Sequence, residues 1–249
     1  MERLLEKKVC MVTGAAKGIG KRIAERFASD GAIVYVNDLN VGEMDGWAIE
    51  MSERYNTIVI PLYFDICKFE VVKQAVMRIK KEQGKLDVLV NNAGMITYEP
   101  LTLIDFSKLR KMFEVNVIAM IHLIQMVSKL MRRQQSGSII NMASIVGVKG
   151  AKGQLAYSAT KGAVVSITLS ASKELAEYNI RVNAIAPGMV ATERFMNEIH
   201  GRFEEKIENV GLGRYATPED VADACSFFAS DRSKYVTGQV LGVEGSFVI

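Results

Sequence analysis

Tyr157 and Lys161 are the residues whose types and spacing first indicate chemistry. They lie four positions apart in a helical pattern, so their side chains share one face of that helix. A free tyrosine has a pKa of about 10, and a nearby ammonium lowers it by favouring the phenolate. Tyr157 could then give a proton to a carbonyl or take one from an alcohol. Spacing alone does not decide this, because most such pairs are surface neighbours.

Two polar residues extend this candidate set. Ser144 stands thirteen residues before Tyr157, directly after the apolar run Ser138–Met142. At the carboxyl end of a strand it would hold a substrate oxygen. Asn116 lies within the long helical pattern Phe106–Arg133.

A glycine-rich turn, Thr13–Gly20, follows the first apolar run, Val9–Val12, and leads into an amphipathic helix. Glycine permits positive φ and close approach of a phosphate, and a helix N-terminus attracts a pyrophosphate. A P-loop is excluded, because Arg22 stands where Ser or Thr is needed and Ala15 where the first glycine is needed. A turn without a ligand is the other alternative.

Asp38 ends the second strand, 18 residues after Gly20. Its carboxylate can accept hydrogen bonds from ribose hydroxyls and repels a 2′-phosphate. Lys17 instead favours NADP(H), since an ammonium there could bind a 2′-phosphate. A cation near a pyrophosphate is useful for either cofactor, so Asp38 decides the prediction. NAD(H) is favoured, with NADP(H) as the alternative.

Strand-like and helical patterns alternate along the chain, which predicts βαβ units and one doubly wound domain over residues 1–249. The sheet is expected to be mainly parallel, with helices on both faces and ligands at the carboxyl ends of its strands. The predicted strands are Val9–Val12, Ile33–Val36, Thr57–Tyr63, Leu86–Val90, Ser138–Met142, Ile180–Ile185 and Val240–Val243. The predicted helices are Ile19–Ser29, Gly42–Tyr55, Phe69–Gln83, Phe106–Arg133, Gln154–Tyr178 and Pro218–Ala229.

Composition excludes several other classes. Hydrophobic residues make up 49% and charged residues 24%, which is typical of a globular protein. The net charge of +3 is too small to indicate nucleic acid, and no apolar run approaches the roughly 18 residues of a membrane span. Three scattered cysteines and two histidines predict neither disulfides nor a metal site. The charged first eight residues do not resemble a signal peptide, so we expect a cytoplasmic protein.

Several motifs together resemble the short-chain dehydrogenase/reductase family, from about Lys7 to Gly245. These are the TGxxxGxG turn, Asn91-Asn92-Ala93-Gly94, Ser144 with the YxxxK pair, and Pro187-Gly188. The resemblance implies a seven-stranded Rossmann-type sheet with NAD(P) bound across it. The segment from Gly137 to Gly188 looks most like 3-oxoacyl-(acyl-carrier-protein) reductases. Those enzymes usually use NADPH, for which Asp38 is unfavourable.

The resemblance also implies a role for each catalytic residue. Tyr157 is the acid/base, and Lys161 lowers its pKa and binds the nicotinamide ribose. Ser144 orients the substrate oxygen, and Asn116 holds a water that relays protons from Lys161.

The same resemblance implies the cofactor contacts. Asp65 matches a position that contacts adenine, and Thr192 one that holds the nicotinamide carboxamide, whereas Asn91 is expected to buttress the central strands. The implied contacts are Gly14, Lys17, Gly18, Ile19, Gly20, Asp38, Asp65, Ile66, Asn92, Ala93, Gly94, Tyr157, Lys161, Pro187, Gly188, Val190 and Thr192. Glu244-Gly245-Ser246 replaces the usual Asp-Gly-Gly-like turn, so the local geometry there is expected to differ.

The substrate is expected to be a carbonyl compound or secondary alcohol, either small or linked to an acyl carrier. The alternative is NAD-dependent oxidation of a sugar, polyol, steroid or other alcohol. Arg132, Arg133 and Lys173 could dock an acidic carrier or merely satisfy helix dipoles. The candidate substrate contacts are Ile96, Ile145, Val146, Gln154, Met189 and Thr192–Phe203. In the last stretch Phe195, Met196 and Ile199 predict either a mobile lid or a packed helix.

Two further function classes fit less well. A non-catalytic dinucleotide sensor would lack Tyr157 or Lys161. Extended relatives such as epimerases carry a larger C-terminal region than this chain offers. In the family, the helices matching Phe106–Arg133 and Gln154–Tyr178 pair between subunits, which predicts a homotetramer or a dimer. His122 is then a packed or interface residue.

Overall fold

The fold is seen in a computed structural model that describes residues 3–199 and 204–247. The described residues form a seven-stranded, wholly parallel sheet with strand order β3-β2-β1-β4-β5-β6-β7. Its strands are β1 Val9–Thr13, β2 Ile33–Asp38, β3 Val59–Tyr63, β4 Val88–Asn91, β5 Gly137–Met142, β6 Ile180–Pro187 and β7 Val240–Val243. The strand order reverses between β1 and β4, which opens a crevice at their carboxyl ends.

Helices cover both faces of this sheet. They are α1 Gly18–Ser29, α2 Asp45–Tyr55, α3 Phe69–Gln83, α4 Phe106–Phe113, α5 Ala119–Gln134, α6 Ile145–Lys149, α7 Leu155–Leu175, α8 Glu193–Ile199 and α9 Pro218–Ala229. Short 3₁₀ turns lie at Leu101–Leu103, Ala176–Tyr178, Glu204–Asn209 and Asp231–Ser233.

Each face of the sheet has its own apolar core, because side chains alternate along a strand. In β1, Val12 points into the core that contains Phe27 of α1 and Phe228 of α9. Met11 points into the opposite core, which contains Leu123 of α5. This double burial explains why the strands are continuous apolar runs.

The helical stretch predicted for Phe106–Arg133 is interrupted. A π turn at Glu114–Ile118 separates α4 from α5, and π turns are frequent at functional sites. Within the described parts of the chain, Phe106–Gln134 is the one helical segment long and apolar enough to cross a membrane, and it contains an 18-residue window with a mean hydropathy of 1.3. Half of that window is buried, and Leu123 and Val127 face the sheet core, as in a core helix of a soluble protein.

Other differences from the predicted elements are small. Helix α2 begins at Asp45 instead of Gly42, and β3 begins at Val59 instead of Thr57. The five-residue helix α6 was not predicted, because it is too short to show a periodic pattern.

Candidate active site

The chain brings Ser144, Tyr157 and Lys161 together at the carboxyl end of β5. Ser144 lies two residues beyond this strand and directly precedes α6. Tyr157 and Lys161 lie one turn apart near the start of α7, which packs against α6. A hydrogen bond joins the Ser144 hydroxyl to the Tyr157 phenol. A carbonyl oxygen placed between these two hydroxyls would meet both.

Lys161 is held firmly beside this pair. Its side chain is buried, and Nζ donates a 2.6 Å hydrogen bond to the carbonyl oxygen of Met142. The same Nζ lies 5.7 Å from the centroid of the Tyr157 ring. The ammonium is therefore fixed by the end of β5.

The pKa values of this pair are shifted by burial. Burial raises the pKa of Tyr157 to about 12, while its hydrogen bond with Ser144 and the charge of Arg194 act in the opposite direction. Burial lowers the pKa of Lys161 to about 8. Burial thus opposes the lowering of the Tyr157 pKa that is expected from a nearby ammonium. Tyr157 is a neutral phenol, which suits a proton donor.

Asn116 lies in the π turn and is buried. Its Oδ1 accepts from the Met95 amide at 2.7 Å, and its Nδ2 donates to the Met95 carbonyl at 2.8 Å. Nδ2 also donates to Oγ1 of Thr160, the residue before Lys161, at 3.0 Å. Asn116 therefore ties the loop after β4 to α7.

The glycine-rich turn is packed against the loop after β4. A Cβ at Gly20 would collide with the carbonyl oxygen of Gly14, so only glycine fits there. Nδ2 of Asn92 donates to the carbonyl oxygens of Thr13 and Gly14 at 3.0 and 2.9 Å. Oγ1 of Thr13 accepts from the amides of Asn92 and Ala93, each at 3.1 Å.

The N-terminus of α1 suits a pyrophosphate. The helix begins at Gly18, and no side chain caps its first amides. Anions bind readily at such a helix end. Lys17 is exposed immediately before it. These features fit a dinucleotide.

Asp38 lies beside this turn at the end of β2. Its Oδ2 accepts from the amide of Ala16 at 2.9 Å, and its Oδ1 accepts from the amide of Leu39 at 2.8 Å. These bonds fix the carboxylate next to the glycine turn. Asp65 lies two residues beyond β3, where its Oδ1 accepts from the Cys67 amide at 2.9 Å, and Ile66 is buried in the core.

A cavity of about 290 Å³ lies over Ser144, Tyr157 and Lys161. The predicted site residues that line it are Ile19, Asn92, Gly94, Ser144, Tyr157, Lys161, Pro187, Gly188, Val190 and Thr192. The predicted substrate contacts that line it are Ile96, Ile145, Val146, Gln154, Met189, Arg194 and Phe195. The lining also contains Met95, Tyr98, Met142, Ala143, Ala151 and Phe247, which were not predicted.

The remaining predicted cofactor contacts lie outside this cavity, near the carboxyl ends of β1 to β4. These residues are Gly14, Lys17, Gly18, Gly20, Asp38, Asp65, Ile66 and Ala93. Asn91 donates to Oδ1 of Asn141 on the neighbouring strand β5 at 2.8 Å, which is a buttressing contact. Phe247 carried no motif signal, since nothing in its sequence neighbourhood marks it as a cavity residue.

Helix α8 lies over the cavity and begins after Thr192. Oγ1 of Thr192 accepts from the amide of Phe195 at 3.2 Å and so caps the helix. The Phe195 ring packs edge-on against Tyr215, with 5.5 Å between ring centroids. Residues 200–203 of the predicted lid lie outside the described residues.

Comparisons with known proteins agree with this geometry. A family model described as enoyl-(acyl carrier protein) reductase matches residues 14–247. The 3-oxoacyl-(acyl-carrier-protein) reductase of Thermotoga maritima is 38% identical over 245 residues, covering 98% of this chain and 99% of the relative. The Chlamydia muridarum reductase of the same name is 36% identical with the same coverage.

Two solved structures share the fold closely. L-sorbose reductase from Gluconobacter frateurii, complexed with NADPH and L-sorbose, gives a TM-score of 0.93 at 28% identity, covering 100% of this chain and 99% of that one. NAD⁺-bound xylitol dehydrogenase gives a TM-score of 0.90 at 29% identity, covering 96% and 98%.

Proposed function

For this chain, which belongs to the short-chain dehydrogenase/reductase family, we propose reduction of a 3-oxoacyl thioester as the reaction. The chain is an NAD(P)-dependent oxidoreductase that acts on carbonyl or alcohol groups. The observation that supports a 3-oxoacyl thioester as substrate is the composition of the cavity wall. Polar groups gather around Ser144 and Tyr157, while much of the remaining wall is apolar. An acyl chain suits such a wall.

The protein's own residues supply the proton and the orientation. The bound nicotinamide would supply a hydride to the carbonyl carbon. Ser144 donates a hydrogen bond to the carbonyl oxygen, and Tyr157 transfers its phenolic proton to that oxygen, giving a secondary alcohol. Lys161 stabilises the tyrosinate left behind, and Asn116 takes part in returning a proton from solvent.

We infer that one domain, residues 1–249, holds the cofactor along the strand ends. The pyrophosphate would lie at the N-terminus of α1, the ribose at Asp38 and the adenine near Asp65. NAD(H) is the preferred cofactor, because the Asp38 carboxylate is fixed where a 2′-phosphate would meet it. NADP(H) is the alternative, because the ammonium of Lys17 could bind its 2′-phosphate.

A sugar or polyol dehydrogenase is the second candidate. The L-sorbose reductase and the xylitol dehydrogenase are enzymes of such substrates, and their structures overlap this chain almost completely. Several hydroxyls would need several hydrogen-bond partners, and a mostly apolar wall offers few. For this reason we place the polyol second.

The test is a substrate panel read with NADH and NADPH side by side. It contains 3-oxoacyl thioesters, sugars, polyols and simple secondary alcohols, with Tyr157→Phe as the inactive control. The proposal expects the highest kcat/KM for a thioester with NADH. A clear preference for a polyol would establish the second candidate.

We propose that an acyl carrier that bears the thioester docks at the basic C-terminal ends of α5 and α7. Arg132 donates to the phenol of Tyr178 at 2.7 Å and stacks on its ring, whereas Arg133 and Lys173 are exposed. If a carrier docks here, Arg133→Glu and Lys173→Glu raise KM for the carrier-linked substrate. The same acyl group on a small thiol keeps its KM, and equal changes in both would exclude docking.

We further propose a cytoplasmic homotetramer, with a dimer as the alternative. The π turn and the neighbouring helices α5 and α7 expose apolar side chains, which include Ile118, Ile121 and Leu169 respectively. His122 stacks on Phe69 with 4.0 Å between ring centroids, so its ring is packed within the chain.

A further inference from the structure

The C-terminal turn, residues 244–247, follows β7 and is fastened by Lys149. Nζ of Lys149 donates to the carbonyl oxygen of Phe247 at 3.0 Å and lies 3.7 Å from Oε1 of Glu244. The amide of Phe247 also donates back to the Glu244 carboxylate. One ammonium thus connects both ends of the turn. We call this arrangement of Lys149, Glu244 and Phe247 the clasp.

The clasp reaches the catalytic region through α6. Lys149 is the last residue of this helix, and Ser144 directly precedes the first. The end of β7 and the turn also pack on the loop after β6, where the Gly188 amide donates to the Val243 carbonyl at 2.9 Å. A Cβ at Gly188 would lie 2.9 Å from Cβ of Glu244, so the two segments approach as closely as glycine allows.

The same turn holds the segment that follows the lid region. The Leu212 amide donates to the Gly245 carbonyl at 3.0 Å, and the Gly211 amide donates to the Ser246 carbonyl at 3.3 Å. Val210 and Phe247 form an antiparallel bridge. Three segments therefore meet at the C-terminal turn: α6 and the loop after β6, which both contribute to the cavity wall, and residues 210–212.

Phe247 is the side chain that this arrangement places in the cavity wall. It is 7% exposed and lines the cavity together with Ile145 and Met189. We propose that Phe247 is a specificity-determining residue that limits acyl-chain length, and that Lys149 is a positioning residue that holds it there through Glu244. This inference rests on the proposed thioester substrate. Neither residue takes part in proton transfer.

The first experiment varies the wall. Phe247→Leu and Phe247→Ala are compared with the wild type on 3-oxoacyl thioesters of increasing chain length. Both variants should raise the ratio of kcat/KM for long over short chains by about tenfold or more, because single methylenes change selectivity on that scale. The KM for the nicotinamide cofactor should not change. The leucine variant retains an apolar anchor and keeps the test valid if the alanine variant unfolds.

Two outcomes would overturn the role of Phe247. One is an unchanged chain-length ratio in an active variant. The other is an altered cofactor KM with unchanged chain-length preference, which would place Phe247 beside the cofactor. A wild-type enzyme that reduces no thioester would instead overturn the proposed substrate, and the chain-length role would fall with it.

The second experiment opens the clasp. Lys149→Met should speed hydrogen exchange at the amides of Leu212 and Phe247 and raise KM for the thioester several-fold. The values of kcat and the cofactor KM should stay near those of the wild type. Lys149→Arg should restore the slow hydrogen exchange and the low KM for the thioester. Lys152→Met, at an exposed lysine nearby, should change neither the exchange nor this KM. Unchanged exchange at these amides in Lys149→Met would show that Lys149 does not position Phe247.

Discussion

Nζ of Lys161 lies 5.7 Å from the centroid of the Tyr157 ring, and its 2.6 Å hydrogen bond goes to the Met142 carbonyl. The lysine is thereby tied to the strand that also leads to Ser144. Burial raises the pKa of Tyr157 to about 12 and lowers that of Lys161 to about 8. A raised pKa keeps the Tyr157 phenol protonated, as donation of a proton to a carbonyl oxygen requires.

Tyr157→Phe is expected to remove most turnover. The substitution deletes the transferable proton and keeps the ring, and general acid–base catalysis typically contributes about 10²–10⁴-fold. Cofactor affinity, measured by fluorescence titration, should change little. Tyr235→Phe is the matched control, because Tyr235 is fully exposed. A Tyr157→Phe enzyme within a factor of two of the wild type would contradict the catalytic assignment.

The buried Lys161 should make stability depend on pH. Its folded pKa of about 8 lies below its ordinary value of 10.5, so the unfolded chain binds more protons between these values. Stability from this group therefore rises as the pH increases from about 8 to about 10.5. Relative to Lys161→Met, the free energy of unfolding of the wild type should increase by about 2 kcal/mol between pH about 7 and pH about 9.5.

Urea denaturation of both proteins at the two pH values measures this difference. Tyr157 should not interfere, because its phenol stays neutral in both states below pH about 10. A difference between wild type and Lys161→Met that is the same at both pH values would show that Lys161 titrates normally in the folded protein.

Much of the site followed from the sequence because its chemistry depends on residue type and spacing. The YxxxK pair needs one helical turn, and Ser144 needs only the end of a strand, so both could be predicted. The glycine-rich turn was recognisable because a Cβ at Gly20 cannot be accommodated. Continuous apolar runs predicted the strands, since parallel strands are buried on both faces.

Other features depend on contacts that no local pattern reveals. The π turn around Asn116 reflects its bonds to Met95 and Thr160, which are distant in sequence. Phe247 lies in the cavity wall because the C-terminal turn is in contact with Lys149 and with residues 210–212, all of which are distant in sequence. The direction of the Tyr157 pKa shift depended on the balance between burial and charge, and spacing gives only the charge.

Asp38→Asn is expected to reduce the preference for NAD(H). The amide keeps the shape and one acceptor for the Ala16 or Leu39 amide, but it removes the charge that repels a 2′-phosphate. The ratio of kcat/KM for NADH over NADPH should fall about tenfold or more, since each 1.36 kcal/mol changes a rate tenfold. Lys17→Met should have the opposite effect, because it should weaken the binding of NADPH more than that of NADH. A wild type that clearly prefers NADPH would show that Lys17 outweighs Asp38.

Assembly should depend on the apolar face shared by α5 and α7. Ile121 is 47% exposed on α5, where a second subunit would cover it. Ile121→Glu should dissociate the oligomer, because it would bury an unpaired charge in the interface. Ile49→Glu is the control, since Ile49 is 61% exposed on α2, away from that face. Light scattering measures both, and a wild type of 27.5 kDa at micromolar concentration would contradict the assembly.

Helix α8 should become more protected when NAD(H) binds. Thr192 caps this helix through its hydroxyl, and the resemblance places the same residue against the nicotinamide carboxamide. A bound carboxamide would add a partner at the start of the helix, and segments that close over substrates are drawn from the less stable parts of a fold. Hydrogen exchange of Glu193–Ile199 with and without NAD(H) measures the effect. Strong and equal protection in both samples would mean that the contact between Phe195 and Tyr215 already fixes α8 as a packed element.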